Sequence, residues 1–240
     1  MYTIVSHQRS GTHWLLSLLR SHPACFGVGE VLHNGETKYN YYSFLGRLAA
    51  SDPEVLFPSG QIAGWNAFLA SLPIPSGVHP VAILHYNQIE MLPNLLLLHI
   101  LSTTGIVHLV RENILRSIVS DRVAAKRKAL PPELAQPGAP VRVTLAAHAL
   151  VPELTRRTEQ IANWRELLGP VNPVEVTYEG LLADTAGECN RILAALDLPP
   201  QPLSSNRQRM TPQPLSDVLT NFDEVTDALR GTRFESMLDG

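Results

Sequence analysis

The opening string YTIVSHQRSGTHWLLSLLRSHP constrains the fold more than any other stretch of the chain. Tyr2 to Ser6 is a short apolar run of the kind that fills a buried parallel strand. His7 to Thr12 is a turn, and from Gly11 or Thr12 to Ser21 the leucine spacing predicts a helix ended by His22-Pro23. A strand that passes through a tight turn into a helix is the first unit of an α/β sheet, and the same alternation continues. Val81 to His85, Ile106 to Val110 and Val174 to Thr177 are further strand candidates. Helices are expected over Gln88 to Leu101 (with Pro93 near its first turn), Asn113 to Lys128, Val151 to Leu168 and Thr185 to Leu196. Between Pro23 and about residue 80 only an aromatic helical piece from Tyr39 to Ala50 stands out. Residues 131–142 are loop by composition, and Leu215 to Leu238 is an amphipathic end. The expectation is an α/β fold, one domain over residues 1–240 with a central parallel sheet flanked by helices.

Composition narrows the partners. With 240 residues and 45% apolar content there is ample core for one such domain. The net charge of −3 carries no basic footprint of the sort nucleic acid requires, so no nucleic-acid partner is expected. An anionic ligand must then be held by a few placed cations. Cys25 and Cys189 are too few for a disulfide framework, and Met1 leads directly into a strand without a basic-then-apolar leader; a cytoplasmic setting follows as the expectation. The most apolar stretch, Leu95 to Val110, contains His99, Thr103, Thr104, Gly105 and His108 and is too short and polar to span a bilayer. The histidines show no HExxH or comparable ligand spacing, so no metal is expected.

HQRSGTHW has the chemistry of an anion cradle. The unpaired N–H groups at a helix start point into the preceding turn, and the helix dipole favours negative charge there. Arg9 adds a cation, and Ser10 and Thr12 add hydroxyl donors. The loop differs from the GxxxxGK[ST] loop of ATP- and GTP-binding proteins: no Lys follows Gly11, and the cation precedes it. The third strand ends in Val110-Arg111 rather than in a magnesium-binding acid. Such a loop suits an anion handled without a metal; a bare strand–turn–helix corner with a surface Arg is the ordinary alternative.

RSGTHWL resembles the PKSGTTWL-type loop of the sulfotransferases that use 3'-phosphoadenosine 5'-phosphosulfate (PAPS), with Arg9 in the place of the Lys and His13 in that of the second Thr. The resemblance implies a P-loop-like sulfotransferase fold in which Arg9, Ser10, Gly11, Thr12 and His13 hold the 5'-phosphosulfate. Arg9 then steadies the bridging oxygen as sulfate departs, and Trp14 packs on adenine. HLVRENILRSIVS is similar to the family's 3'-phosphate segment, with Arg111 at a strand end and Ser120, or less well placed Ser117, on the helix after it. VTYEGLL resembles a strand-end YEDL segment and assigns Tyr178 to the nucleotide. The segment from Asn206 onward is similar to the tail of the family's bacterial branch, which includes carbohydrate sulfotransferases of the Nod-factor and trehalose type, and gives Arg207 and Arg209 to the 3'-phosphate. The PAPS-binding elements implied are 5–21, 106–122, 174–182 and 204–213, with acceptor-side segments near 35–80 and 129–150.

In-line sulfuryl transfer also needs a base for the acceptor hydroxyl. Two residues compete. Glu30, in GVGEVLH, lies where bacterial relatives carry a glutamate, and His85, ending VAILH, lies where cytosolic relatives carry a histidine. His needs no pKa adjustment to act near neutrality, which favours His85; position favours Glu30. His13 and His33 are outsiders. The implied reaction moves a sulfuryl group from PAPS to a small-molecule, glycan or lipid hydroxyl, releases adenosine 3',5'-bisphosphate (PAP), and leaves a homodimer open. A P-loop nucleotide or small-molecule kinase and a non-catalytic nucleotide-binding module are the alternatives.

Overall fold

A computed structural model of the chain describes residues 1–35, 37–131, 141–207 and 214–239. In chain order the elements are β1 (Tyr2–Ser6), α1 (Thr12–Leu19), β2 (Cys25–Glu30), α2 (Tyr41–Leu48), α3 (Gln61–Ser71), β3 (His79–His85), α4 (Tyr86–Ile89), α5 (Asn94–Thr103) and β4 (Gly105–Val110). They continue with α6 (Ile114–Ala129), α7 (Ala147–Leu168), β5 (Val174–Thr177), α8 (Tyr178–Ala183), α9 (Thr185–Ala195), α10 (Leu215–Val218) and α11 (Phe222–Leu229). The residues gather into two compact units, Met1–Val110 with Glu166–Asn206, and Arg111–Arg165 with Arg207–Gly240.

The first unit holds the sheet. Its five strands run in the order β2-β3-β1-β4-β5, all parallel, flanked by helices, as the βα alternation predicts. The three inner strands read as mainly apolar runs because both of their faces are covered: every residue of β1 is buried, as are Val81 to His85 and Ile106 to Val110. Ile4, Leu15, Leu19, Ile83, Val107, Leu109, Val176 and Ile192 share one core cluster. The chain leaves β1 toward β3 and β2 on one side and returns to β4 and β5 on the other. That makes the carboxyl end of β1 a topological switch point, where ligands enter open α/β sheets. Ser6 lies level with His85 on one neighbour and Leu109 on the other, so the loop after β1 and the end of β3 emerge at the same edge.

Several elements depart from the sequence expectation. β2 is a strand in a stretch where the sequence singles out no element: CFGVGE carries two glycines, which weaken a strand, yet as an edge strand it needs only backbone pairing with β3. Its register slips between Gly27 and Gly29, where Gly29 sits at φ 86°, a bulge just before Glu30. α3 was missed as well. It packs Trp65, fully buried, edge-on to Tyr41 at 5.2 Å and beside Phe68 at 5.6 Å, so these three aromatics fill a core, whereas Tyr42 and Phe57 are exposed. The helix expected from Gln88 to Leu101 is two helices. Pro93 cannot donate to a preceding turn, so it stands at the cap of α5, where its carbonyl accepts from the Leu97 N–H at 3.0 Å. α7 begins at Ala147, before the expected Val151, and carries Pro152 inside it.

The second unit is helical. The Asn113 side chain caps α6 by accepting from the Arg116 N–H at 3.0 Å. Val143 bridges to Leu219, and the Arg142 guanidinium donates to the Leu219 carbonyl at 2.8 Å. Arg157 is buried between Asp121 and Glu153, with N–O separations of 3.2 and 2.8 Å, so its charge is compensated by two carboxylates.

Candidate active site

The turn after β1 has an unusual backbone. Arg9 adopts φ 64° and Gly11 φ 92°, on either side of Ser10. Alternating handedness of this kind gathers successive N–H groups into a concavity that accepts an anion. A left-handed Arg costs conformational energy, and such strain persists only where the surroundings over-determine it. Gly11 is the N-cap of α1, and its carbonyl accepts from the N–H groups of Trp14 and Leu15 at 2.9 and 3.1 Å, which leaves the first N–H groups of the helix toward the turn. Ser10 and Thr12 are buried.

Tyr178 covers this turn. It opens α8 directly after β5, and the Thr177 hydroxyl fixes that helix start by accepting from the Gly180 N–H at 2.9 Å. A Cβ added to Gly11 would fall inside contact with the Tyr178 ring, 2.8 Å from Cε2. Glycine is therefore required twice, by its φ and by the close ring. Trp14 meets Tyr178 edge-on, centroids 5.8 Å apart at 74°. The loop, Trp14 and Tyr178, picked out separately in the sequence, thus lie together.

The two competing bases also lie together, with a third residue between them and the loop. Glu30 Oε1 accepts from His13 Nε2 at 2.8 Å and faces His85 Nε2 at 3.4 Å. Glu30 Oε2 accepts from Gln88 Nε2 at 3.4 Å, and the Gln88 carbonyl oxygen in turn accepts from the His85 N–H at 3.1 Å. Burial pushes the Glu30 carboxyl up. The hydrogen bonds from His13 and His85, together with their charge, outweigh that and hold it well below the usual carboxylate range. His85 is buried, with 4% of its side chain exposed, whereas the His13 side chain is 45% exposed. Gln88 was missed by sequence reasoning; its only signal is its place three residues after a strand-end histidine, where a capping side chain belongs.

A second chain of polar groups, buried at Tyr86 and His108 and reaching the surface at Glu175, was also missed. Tyr86 Oη and His108 Nε2 are 2.5 Å apart, and His108 Nδ1 meets Glu175 Oε2 at 2.9 Å. The Tyr86 ring stands edge-on to His7 of the turn, centroids 6.1 Å apart.

Arg111, Ser117 and Ser120 belong to the second unit. Arg111 follows β4 directly, and all three are buried, the serines three residues apart on α6. Arg207 is exposed. Arg209 lies outside the described residues. No helix among the described residues is long and apolar enough to cross a membrane.

No protein-family model and no curated protein matches the chain. Solved structures do. The fold is similar to that of a sulfotransferase domain from the curacin biosynthetic pathway, at 14% identity over 100% of this chain and 89% of that one, with a TM-score of 0.50. A sulfotransferase from Alicyclobacillus acidocaldarius aligns at 13% identity over 99% of this chain and 95% of its own, TM-score 0.49. A mouse sulfotransferase complexed with PAP aligns at 16% identity over 99% and 86%, TM-score 0.49. At 14% identity the likeness to the curacin-pathway domain is one of fold alone, a parallel α/β sheet flanked by helices.

Proposed function

We propose that the chain is a PAPS-dependent sulfotransferase that transfers a sulfuryl group in line to an acceptor hydroxyl on a carbohydrate, lipid or other natural product. The observation that carries this reading is the turn after β1. It joins a left-handed Arg9, a Gly11 lying under Tyr178 and a free helix start, with Trp14 beside them, and lacks the Lys of an ATP-type loop. In this reading the N–H groups of the turn, Gly11 included, and of His13 at the helix start hold the 5'-phosphosulfate together with Ser10 and Thr12, which leaves the His13 side chain free for the acceptor side, and Arg9 neutralises charge on the departing bridging oxygen. Trp14 and Tyr178 lie against the nucleotide. Arg111, with Ser120 or Ser117, and Arg207 and Arg209 hold the 3'-phosphate. The Glu30 cluster with His13 and His85 serves the acceptor side.

The test is thermal stabilisation by PAP without metal. At about 100 times Kd a ligand that binds only the folded state stabilises by about 2.7 kcal/mol, and wild type should show a matching rise in Tm. Arg111→Ala should weaken PAP binding, whereas Arg9→Ala should bind PAP and lose most transfer. No shift with PAP overturns the reading, and a shift seen only with Mg-ATP overturns it in favour of a kinase.

A further inference from the structure

Within the sulfotransferase reading, on which this inference rests, the geometry points to His13 as the general base, with Glu30 as the carboxylate that positions it. The usual expectation gives that task to Glu30 or to a strand-end histidine such as His85. Three observations move it.

Glu30 already has both oxygens engaged, Oε1 with His13 and His85 and Oε2 with Gln88. A carboxylate held in this way is stabilised in its charged form and gains little by taking another proton, which the downward displacement of its pKa also reflects. It is suited to fixing imidazoles rather than to accepting a proton from substrate. His85 is enclosed: only 4% of its side chain is exposed, its Nε2 faces Glu30, and its Nδ1 is shut away from solvent. Its ring therefore offers an acceptor hydroxyl far less surface than that of His13.

His13 has the opposite character. It is the second residue of α1, directly after the turn, and 45% of its side chain is exposed. An ionised carboxylate only accepts hydrogen bonds, so the 2.8 Å contact to Glu30 Oε1 requires the proton of the neutral ring to sit on Nε2. The lone pair is then on Nδ1, across the ring from Glu30, and among the described residues no protein group bonds it. Carboxylate, imidazole and outward lone pair form the arrangement by which an acid residue holds a histidine base in the productive tautomer. Gln88 and His85 hold Glu30 from behind, so the orientation of His13 is set by buried groups although the ring itself is exposed.

The step balances. The acceptor oxygen forms its bond to sulfur while the bond from sulfur to the bridging phosphate oxygen breaks, its electron pair leaving with PAP. The acceptor proton moves to His13 Nδ1, and the imidazolium so formed is stabilised by Glu30 through Nε2–H. His13 is thus a catalytic residue and Glu30 and Gln88 are positioning residues. The same feature gives meaning to a histidine standing where the resembling loops carry a hydroxyl.

Two measurements test this. The first needs no acceptor: 15N-resolved NMR of the histidine rings at neutral pH should show His13 as the Nε2–H tautomer in wild type and a mixture of tautomers in Glu30→Gln. A His13 ring protonated on Nδ1 in the neutral wild type overturns the proposal. The second uses water as the acceptor, following release of labelled sulfate from PAPS. His13→Gln keeps a donor amide where Nε2 stood and removes the base, so turnover should fall about 10²- to 10⁴-fold while PAP binding, read by thermal shift, changes by less than about threefold. Added imidazole should restore part of the loss, and His85→Gln should retain more turnover than His13→Gln. Turnover of His13→Gln within tenfold of wild type overturns the assignment, as does a loss that is wholly one of PAP affinity. Failure of the sulfotransferase reading looks different: wild type would then neither be stabilised by PAP nor release sulfate from PAPS.

Discussion

Substituting Gly11 with alanine tests the construction of the anion loop through two separable costs. The first is backbone. Gly11 sits at φ 92°, where a Cβ crowds the following carbonyl, at about 1–2 kcal/mol. The second is packing, because the new methyl would lie 2.8 Å from Tyr178 Cε2 and closer still to Cδ2. Tyr178 is buried against Trp14 and the core, so it cannot swing clear without loss, and overpacking of this kind costs about 1–3 kcal/mol. Together the two predict a loss of about 2–5 kcal/mol. Gly77 supplies the control. It has φ 78° and no atom within 4 Å of an added Cβ, so Gly77→Ala should show the backbone cost alone, about 1–2 kcal/mol. Both glycines belong to the same compact unit, so one unfolding transition reports both. Urea midpoints at constant m measure the difference. Removing the ring in Gly11→Ala/Tyr178→Ala should recover the packing part as a coupling of about 1–3 kcal/mol in a double-mutant cycle. The reasoning is refuted if Gly11→Ala costs no more than Gly77→Ala, or if Tyr178→Ala shows no coupling to it.

Two further outcomes follow from the titrating groups. Burial opposes ionisation of Glu30, but its bonds to His13 and His85 prevail and depress its pKa; its ionised form therefore stabilises the fold fully above the unfolded carboxyl value of about 4 and loses that contribution as pH falls below it. The stability gap between wild type and Glu30→Gln should accordingly shrink on acidification below about pH 4, measured by urea unfolding; a gap that widens contradicts the network. Burial pushes the thiols of Cys25 and Cys189 up to about 11, with Glu188 adding to the effect at Cys189. Neither should react with a disulfide reagent at about pH 8 until the chain is unfolded, and rapid labelling of the native protein would show that one of them is not enclosed.

The inner strands were legible because a parallel strand covered on both faces must be largely apolar, as YTIVS, VAILH and GIVHLV are. The helices expected over Asn113 to Lys128 and Thr185 to Leu196 were legible from apolar spacing, and Asn113 and Asp184 stand at their starts as caps. β2 escaped notice because edge pairing is made by backbone groups, which leave no mark in side-chain composition, and its glycines read as breakers. α3 escaped because QIAGWNAFLAS mixes small and apolar residues around the whole helix and shows no distinct stripe.

For the site, the sequence by itself determined the local chemistry: a strand, a turn holding Arg9 and Gly11, and a helix start, whose backbone requirements are met by residues a few positions apart. It also supplied Glu30 and His85 as rival bases. Only the tertiary structure brought the two side by side, with His13 on the same carboxylate oxygen. The parallel register pairs Glu30 with Ile83 and Ser6 with His85, which carries the ends of three strands to one edge; there the first turn of α1 brings His13 onto Glu30, and β5 brings Tyr178 onto Gly11. Spacing along a chain encodes which neighbours share a face. Which strand lies beside which depends on burial summed over the whole sheet, and no local pattern records it.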